Sequence, residues 1–229
     1  MKDNTLSAET TRVFLESTHT LKNVDKDFVS WHKGRPHYYV WAIMVDSPSW
    51  QYRIQSAHDV LSPYLVNGYQ RQPHVTILPA GFIGKASISK TSLTEVCSAF
   101  SPFELSLGQL SSFTGSPCYP VINTGLQLIE LRVALRSIAV DPDSQVNDEN
   151  YVPHLTVGLY DEAYFTDEVA QKISLVGSAR DFIDDGEVVV NRIALVKYQT
   201  ASIKGSLEIE AECDLGSGKL KIASPRLFS

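Results

Sequence analysis

The sequence predicts an α+β fold in which a β-α-β-α-β unit occurs twice, forming two mainly antiparallel sheets around a central cleft. Short apolar runs rich in β-branched and aromatic residues, typical of strands, alternate with stretches whose apolar residues recur at helical spacing. The order of these elements then repeats. His74 follows Val40 by 34 positions in the first copy, and His154 follows Val121 by 33 in the second. We therefore expect the two copies to be related by a pseudo-twofold axis.

The first copy follows an N-terminal extension, residues 1–36, in which a short helix is expected. The run HYYVWAIMV has the composition of a central strand. A helix is expected to begin at Ser49, and an Asn-Gly turn precedes the next strand. The expected elements are the extension helix at 7–20, a strand at 37–45, a helix at 49–65, a strand within 71–81, a helix at 91–100 and a strand at 103–113.

The second copy has the same order, with a polar loop before its second strand. Its expected elements are a strand at 118–124, a helix at 126–138, a strand within 151–160, a helix at 166–175, a strand at 187–198 and a final strand at 205–216. We predict one bilobal domain over residues 37–229, with lobes at approximately 37–113 and 118–215.

Composition limits the classes of function. The chain has 229 residues, 43% of them hydrophobic, which is enough for a sizeable core. A formal charge of −6 argues against extended DNA binding, because coating nucleic acid requires many cations. The three cysteines form no CxxC pair, and no apolar run is long enough for a membrane span. We expect a cytoplasmic monomer that does not bind membranes.

A short motif occurs twice at equivalent positions. HVTI at 74–77 and HLTV at 154–157 each follow a proline. Residues i and i+2 of a strand share a face, so each histidine should point the same way as the threonine two positions later. A single His-x-Thr is usually a solvated strand face. Composition alone gives roughly 0.06 expected His-apolar-Thr-apolar matches, so two matches are not accidental.

The paired motifs favour phosphodiester chemistry. Imidazole exchanges protons near neutral pH, so His74 and His154 on either side of a phosphorus could act as general base and general acid. The hydroxyls of Thr76 and Thr156 could donate to the non-bridging oxygens, whose charge rises in the transition state. Neither motif supplies a third metal ligand. We therefore predict no metal and no cofactor, and symmetry leaves open which histidine is the acid.

These motifs resemble those of the 2H phosphoesterase superfamily, which includes 2′-5′ RNA ligase-like and RNA 2′,3′-cyclic phosphodiesterase proteins. The resemblance covers roughly residues 37–215 and rests on the two motifs, 80 positions apart. It implies a bilobal fold with a central cleft, His74 and His154 as catalytic pair, and Thr76 and Thr156 as phosphate-binding residues. The expected partner is a nucleotide or oligonucleotide phosphodiester, most readily an RNA-derived 2′,3′-cyclic phosphate or a 2′-5′-linked or cyclic oligonucleotide.

Further residues near the motifs could contact a substrate, although packing or a solvated surface explains each one alone. Three aromatic and two basic residues are predicted on this basis, namely Phe82, Tyr151, Tyr160, Arg71 and Lys197. Two other functions remain open at this point. The protein could bind a nucleotide or RNA end without turnover, or it could cleave a cyclic phosphate metabolite that is not RNA.

Overall fold

A computed structural model of the chain describes residues 3–23, 32–138, 141, 151–178 and 186–229. It confirms an α+β fold of helices and antiparallel strands. The α-helices of the described chain are α1 (Asp3–Leu15), α2 (Pro48–Leu61), α3 (Lys90–Ala99), α4 (Gln127–Arg136) and α5 (Thr166–Ser178). The strands are β1 (His37–Met44), β2 (His74–Gly81), β3 (Phe103–Leu107), β4 (Ser111–Ser112), β5 (Pro117–Ile122), β6 (His154–Thr156), β7 (Val188–Val190), β8 (Arg192–Gln199), β9 (Glu208–Asp214) and β10 (Leu220–Ile222). Short 3₁₀ helices occur at Ser62–Tyr64 and Pro225–Leu227.

The strands form one continuous path, in the order β10-β9-β8-β1-β2-β6-β5-β3-β7, with β4 pairing with β5. Each paired strand of this path is antiparallel to its neighbour. The two expected sheets are therefore the two halves of this path, joined where β2 meets β6. These are the two strands that carry the repeated motif.

Each half of the path contains a strand from the other copy of the repeat. β3 ends the first copy but pairs with β5 of the second. β8 ends the second copy but pairs with β1 of the first. Strand pairing thus crosses the lobe boundary drawn from the sequence, and the two halves are linked by more than the contact between β2 and β6.

The two faces of the sheet differ in what covers them. On one face the large core packs against the helices, and it includes Trp41, Val75 and Leu155. Among the described residues, the other face carries a smaller apolar cluster that includes Val40, Ala42 and Leu207. Because side chains alternate along a strand, the motif histidines and threonines lie on this second face, which we call the open face.

Two of the helices begin at serine caps, and α2, α3 and α4 each bury apolar side chains. Ser47 accepts a hydrogen bond from the Trp50 amide at the start of α2, and Ser89 accepts one from the Ser92 amide at the start of α3. Three of the helices contribute the following buried residues to the core: Trp50, Ala57 and Leu61 from α2, Leu93 and Cys97 from α3, and Leu128, Leu131 and Leu135 from α4. Their burial on one face leaves the motif face uncovered by these helices.

Several strand lengths differ from expectation. The strand within 151–160 is limited to β6, which has three residues and follows Pro153, a residue with no amide hydrogen to donate. The run 103–113 divides into β3 and β4, and 187–198 divides at Asn191. The expected extension helix is α1, whose Phe14 is 1% exposed in the main core. Within the described ranges no helix has the length and apolarity needed to cross a bilayer.

Candidate active site

The four motif side chains lie together where β2 meets β6. Val75 and Leu155 are Cα partners in this antiparallel pair, and both are fully buried. The register therefore sets His74 opposite Thr156, and Thr76 opposite His154. The two histidines are diagonal neighbours, about 7–8 Å apart between Cα atoms by the usual geometry of such pairs. The predicted grouping of two imidazoles and two hydroxyls on one face is thus compatible with one phosphate bound between them.

Both imidazoles are held by the same backbone contact. His74 Nδ1 lies 2.8 Å from the carbonyl oxygen of Gln72, and His154 Nδ1 lies 2.8 Å from that of Val152. A carbonyl can only accept, so Nδ1 carries the proton in each ring. The neutral rings therefore keep a lone pair on Nε2, the atom that remains for proton exchange with a ligand.

The prolines of the motif explain why this contact repeats. The carbonyl of Pro73 accepts from the Val45 amide at 2.9 Å, and that of Pro153 accepts from the Val121 amide at 2.8 Å. Each proline is thereby fixed to the neighbouring strand and holds an extended backbone. The carbonyl two residues before each histidine then meets its ring. The repeated Pro-His sequence therefore orients the imidazole ring in both motifs.

Burial lowers the pKa of both histidines. For His74 the pKa falls to about 4, chiefly because burial disfavours the charged ring, and the positive charge of Arg71 and the presence of His154 lower it further. The Gln72 carbonyl opposes this shift. Burial also lowers the pKa of His154, and the Val152 carbonyl opposes it. Both rings are therefore neutral near pH 7 in the absence of a ligand, and a bound anion would favour their protonation.

Arg71 is a cation beside His74. Its guanidinium lies 4.2 Å from the ring centroid of Tyr198, and its positive charge acts to lower the pKa of Tyr69 against the effect of burial. Its Nε is buried and has no hydrogen-bond partner. In the described chain, no carboxylate forms an ion pair with it. The sequence-based expectation that Arg71 could bind a substrate phosphate is thus compatible with its position.

The two histidines have different neighbours. The ring of Phe113 packs edge-on against His154, with centroids 4.8 Å apart. Sequence reasoning missed this residue, because the β4–β5 hairpin brings it to His154 from 41 positions earlier in the chain. It also missed Tyr198, which reaches Arg71 only through the pairing of β8 with β1. The local sequence gives no signal for either contact.

Two of the other predicted residues contact β2 or follow its end. Tyr151 donates from its hydroxyl to the Thr76 carbonyl at 2.8 Å, and the Arg132 guanidinium lies 4.0 Å from its ring centroid. It therefore supports the backbone of β2 at the motif. Phe82 is partly exposed beyond the end of β2, where its ring meets Tyr38. It lies away from the histidines along the strand.

The remaining two predictions are corrected by the structure. Tyr160 is fully buried in the core, and its hydroxyl is 2.6 Å from that of Ser112, so it does not line the cleft. Lys197 pairs in register with the buried Tyr39 and points away from the open face. Its ammonium group binds Glu210 at 2.6 Å and Glu208 at 3.1 Å. Because side chains alternate along β8, Lys197 lies on the opposite face of the sheet from the histidines.

Over the described parts of the chain, no three His, Cys, Asp or Glu side chains come together in a way that could hold a metal ion. Metal independence stays a prediction that requires a chelation experiment.

The family model of the 2′-5′ RNA ligase superfamily matches residues 45–201, a span that includes both motif strands. The chain belongs to this superfamily. The resemblance to the 2H phosphoesterases is thereby confirmed, and membership supports phosphoesterase chemistry on an RNA-related substrate.

Solved structures with similar folds have low sequence identity to this chain. A phosphoesterase crystal structure matches at 17% identity and a TM-score of 0.48, covering 79% of this chain and 99% of its own. E. coli LigT complexed with NADP+ matches at 15% identity and a TM-score of 0.47, with coverages of 79% and 99%. Kluyveromyces marxianus Usb1 with uridine monophosphate matches at 10% identity and a TM-score of 0.40, with coverages of 76% and 98%. A search of curated proteins found no match.

Proposed function

We infer that the protein is a phosphodiesterase that hydrolyses an RNA-derived 2′,3′-cyclic phosphate with His74 and His154 as its acid-base pair. The observation that carries this inference is the matched orientation of the two rings, each fixed through Nδ1 and each left with Nε2 for proton transfer. Such a pair can remove a proton on one side of a phosphorus and supply one on the other. Superfamily membership supports the same chemistry.

The surroundings of the rings suggest which one is the base. Arg71 lowers the pKa of His74, so this ring is the better candidate for the neutral form that accepts a proton. In the proposed step, His74 Nε2 takes a proton from water as the water oxygen attacks phosphorus. The bond from phosphorus to one ribose oxygen breaks, and protonated His154 donates a proton from Nε2 to that oxygen. Solvent then restores both rings.

The remaining groups would stabilise the charge on the phosphate. The hydroxyls of Thr76 and Thr156 would donate to the non-bridging oxygens, and Arg71 would add a positive charge beside them. This scheme uses no metal and no cofactor. We expect turnover to survive excess EDTA, and loss of activity that Mn²⁺ or Zn²⁺ restores would contradict the scheme.

Single substitutions test the pair. His74→Ala and His154→Ala should each lower kcat by roughly 10²–10⁴-fold, the usual contribution of one acid-base group. Thr76→Val and Thr156→Val should each cost about 10–10³-fold. The matched control is His58→Ala on α2, which should retain full activity. Circular dichroism checks that each variant is folded.

The substrate is tested by a screen of cyclic mononucleotides, oligonucleotides ending in a 2′,3′-cyclic phosphate, 2′-5′-linked oligonucleotides and cyclic phosphate metabolites that are not RNA. Turnover of the RNA-derived cyclic phosphates is expected. Preference for a non-RNA metabolite would overturn the substrate assignment. Tight binding with no turnover of any compound would indicate a nucleotide or RNA-end binding protein instead.

A further inference from the structure

A row of stacked cations and aromatic rings leads away from the histidine pair. Arg71 lies over Tyr198, whose ring centroid is 5.5 Å from that of Tyr38. Tyr38 meets Phe82 at 5.1 Å, edge to face, and the Arg35 guanidinium lies 3.7 Å from the Phe82 ring centroid. Tyr38 and Tyr198 are Cα partners in β1 and β8 and pack against the small cluster of the open face. We call these five residues the track.

The track ends at a basic cavity. The cavity has a volume of about 330 Å³, and Arg35 and Phe82 belong both to its lining and to the track. Its other lining side chains include His37, Lys85 and Arg226. None of the described residues that line it is a carboxylate. Asp141 lies nearby and pairs with Arg35 at 3.5 Å, whereas no ion pair of the described chain involves Lys85.

The separation of the two ends limits what could occupy both. His74 begins β2 and Phe82 follows its last residue, Gly81. At the usual rise of a strand, about 3.3 Å per residue, the eight steps from His74 to Phe82 put the histidine site and the cavity roughly 26 Å apart. A mononucleotide is too short to reach both. An occupant of both ends must be a chain that carries several phosphates.

We propose that the track is a binding path for a single-stranded oligonucleotide whose terminal phosphate lies at the histidine pair and whose upstream phosphate lies in the basic cavity. The proposal rests on the proposed function and specifies its substrate as a chain of about four or more nucleotides. Sites for single-stranded nucleic acid combine cations for the backbone with aromatic side chains for the bases, and the smallest span about four nucleotides.

The cations at the two ends of the track contrast with the net negative charge of the whole protein. The chain has a formal charge of −6, which disfavours general attraction of nucleic acid. Cations confined to the two ends of the track would bind one short strand without binding long DNA or RNA broadly. The track should therefore increase activity on oligonucleotides and leave activity on mononucleotides unchanged.

The test compares two substrates with the same terminal 2′,3′-cyclic phosphate, one a mononucleotide and one a pentanucleotide. For the unmodified protein, kcat/KM should be at least about tenfold higher for the pentanucleotide. Lys85→Gln with Arg226→Gln should reduce that advantage at least fivefold and leave mononucleotide turnover within about twofold. The slope of log affinity against log salt should fall by roughly 1.4 for two lost phosphate contacts.

Controls separate loss of the track from loss of folding. Arg226 contacts the Tyr39 hydroxyl at 3.4 Å, so its substitution could also disturb packing. Lys85→Gln is therefore also made alone, because no hydrogen bond or ion pair of the described chain uses the Lys85 ammonium group. Lys172→Gln, a neutralised lysine on α5, is the matched control and should keep the full pentanucleotide advantage. Equal kcat/KM for both substrates in the unmodified protein would overturn the track and leave the proposed function intact.

A binding measurement keeps the track testable if no turnover is found. Fluorescence anisotropy compares a labelled pentanucleotide ending in a 3′-phosphate with the corresponding labelled mononucleotide. Tighter binding of the pentanucleotide that Lys85→Gln with Arg226→Gln removes would support the track even if the catalytic proposal fails. Equal binding of the two ligands, or an advantage unchanged in these variants, would overturn it.

Discussion

At the scale of single residues, the site depends on two imidazoles kept neutral by burial. Two unperturbed histidines would give a maximum in activity between about pH 5.5 and 8. Burial disfavours the charged form of each ring, so both pKa values lie below that of a histidine in water. The backbone carbonyls that hold Nδ1 offset only part of this effect. The pH range of activity should therefore be displaced towards acid.

The first prediction concerns the pH dependence of kcat/KM. The acidic limb should follow protonation of the proposed base, His74, near pH 4, and the alkaline limb should follow loss of the proton from the proposed acid, His154, below the ordinary histidine pKa of 6.5. We expect a bell with its maximum between about pH 4 and 6.5, measured with a cyclic mononucleotide at constant ionic strength. A maximum above pH 7 would show that burial does not set these pKa values.

The second prediction concerns Arg71. Its positive charge is one cause of the low pKa of His74, so Arg71→Gln should raise that pKa, and the His74 ring signal in an NMR titration would record the shift. The variant should also lower kcat/KM, because the cation would no longer attract the phosphate. Arg192→Gln, which removes an exposed arginine paired with Asp214, is the control and should leave the His74 titration unchanged. An unchanged pKa in Arg71→Gln would contradict the assigned role.

At the scale of elements, the motif strands receive unequal support. β6 is only three residues long and pairs with one strand on each side, whereas β2 is eight residues long. Two side chains from outside the sheet bind β2 at the motif: Tyr151 donates to the Thr76 carbonyl, and Arg132 donates to the Ile77 carbonyl. They hold the segment of β2 that presents Thr76, the proposed phosphate-binding residue.

The third prediction tests this support. Tyr151→Phe removes the hydroxyl that binds the Thr76 carbonyl, and it should lower the free energy of unfolding by about 0.5–1.5 kcal/mol, as for one hydrogen bond. Turnover should fall by less than in the histidine variants, because Thr76 is displaced without losing its hydroxyl. Urea unfolding and kcat measure the two effects. Tyr52→Phe, at an exposed tyrosine of α2, should change neither, and an unaffected Tyr151→Phe would show that β2 needs no such support.

The sequence predicted the elements better than their pairing. The duplication and the helices were visible because each copy repeats the same periodic pattern, and strand parity alone set His74 beside Thr76. Parity also excludes Lys197 from the open face, but only once its register with Tyr39 is known. The exchange of β3 and β8 between the halves left no local signal, because strand pairing is decided by contacts far apart in the chain. For the same reason, Phe113 and Tyr198 could not be found from their neighbours.

At the scale of the whole molecule, the exchanged strands make the two halves depend on each other. β8 completes the half that contains β2, and β3 completes the half that contains β6, so neither copy of the repeat forms its half alone. The partly buried imidazoles lie at the junction of these halves. A charge that develops there should therefore destabilise the entire fold instead of one lobe.

The last prediction follows from this coupling. An unfolded histidine binds its proton near pH 6.5, whereas His74 in the folded protein does so only near pH 4. Between these values the unfolded state binds more protons, so the free energy of unfolding should fall as the pH is lowered through this range. The loss attributable to His74 should be on the order of 1–3 kcal/mol. His154, whose pKa is lowered in the same direction, adds to it.

Comparison with a double variant isolates this effect from the protonation of carboxylates, which also destabilises folded proteins in acid. Urea unfolding of the unmodified protein and of His74→Gln with His154→Gln, measured from pH 7.5 to 4.5, should give curves that separate as the pH falls, with the double variant losing less stability. His58→Gln on α2 should follow the unmodified protein. Parallel curves for the double variant and the unmodified protein would show that these two rings are not held neutral by the fold.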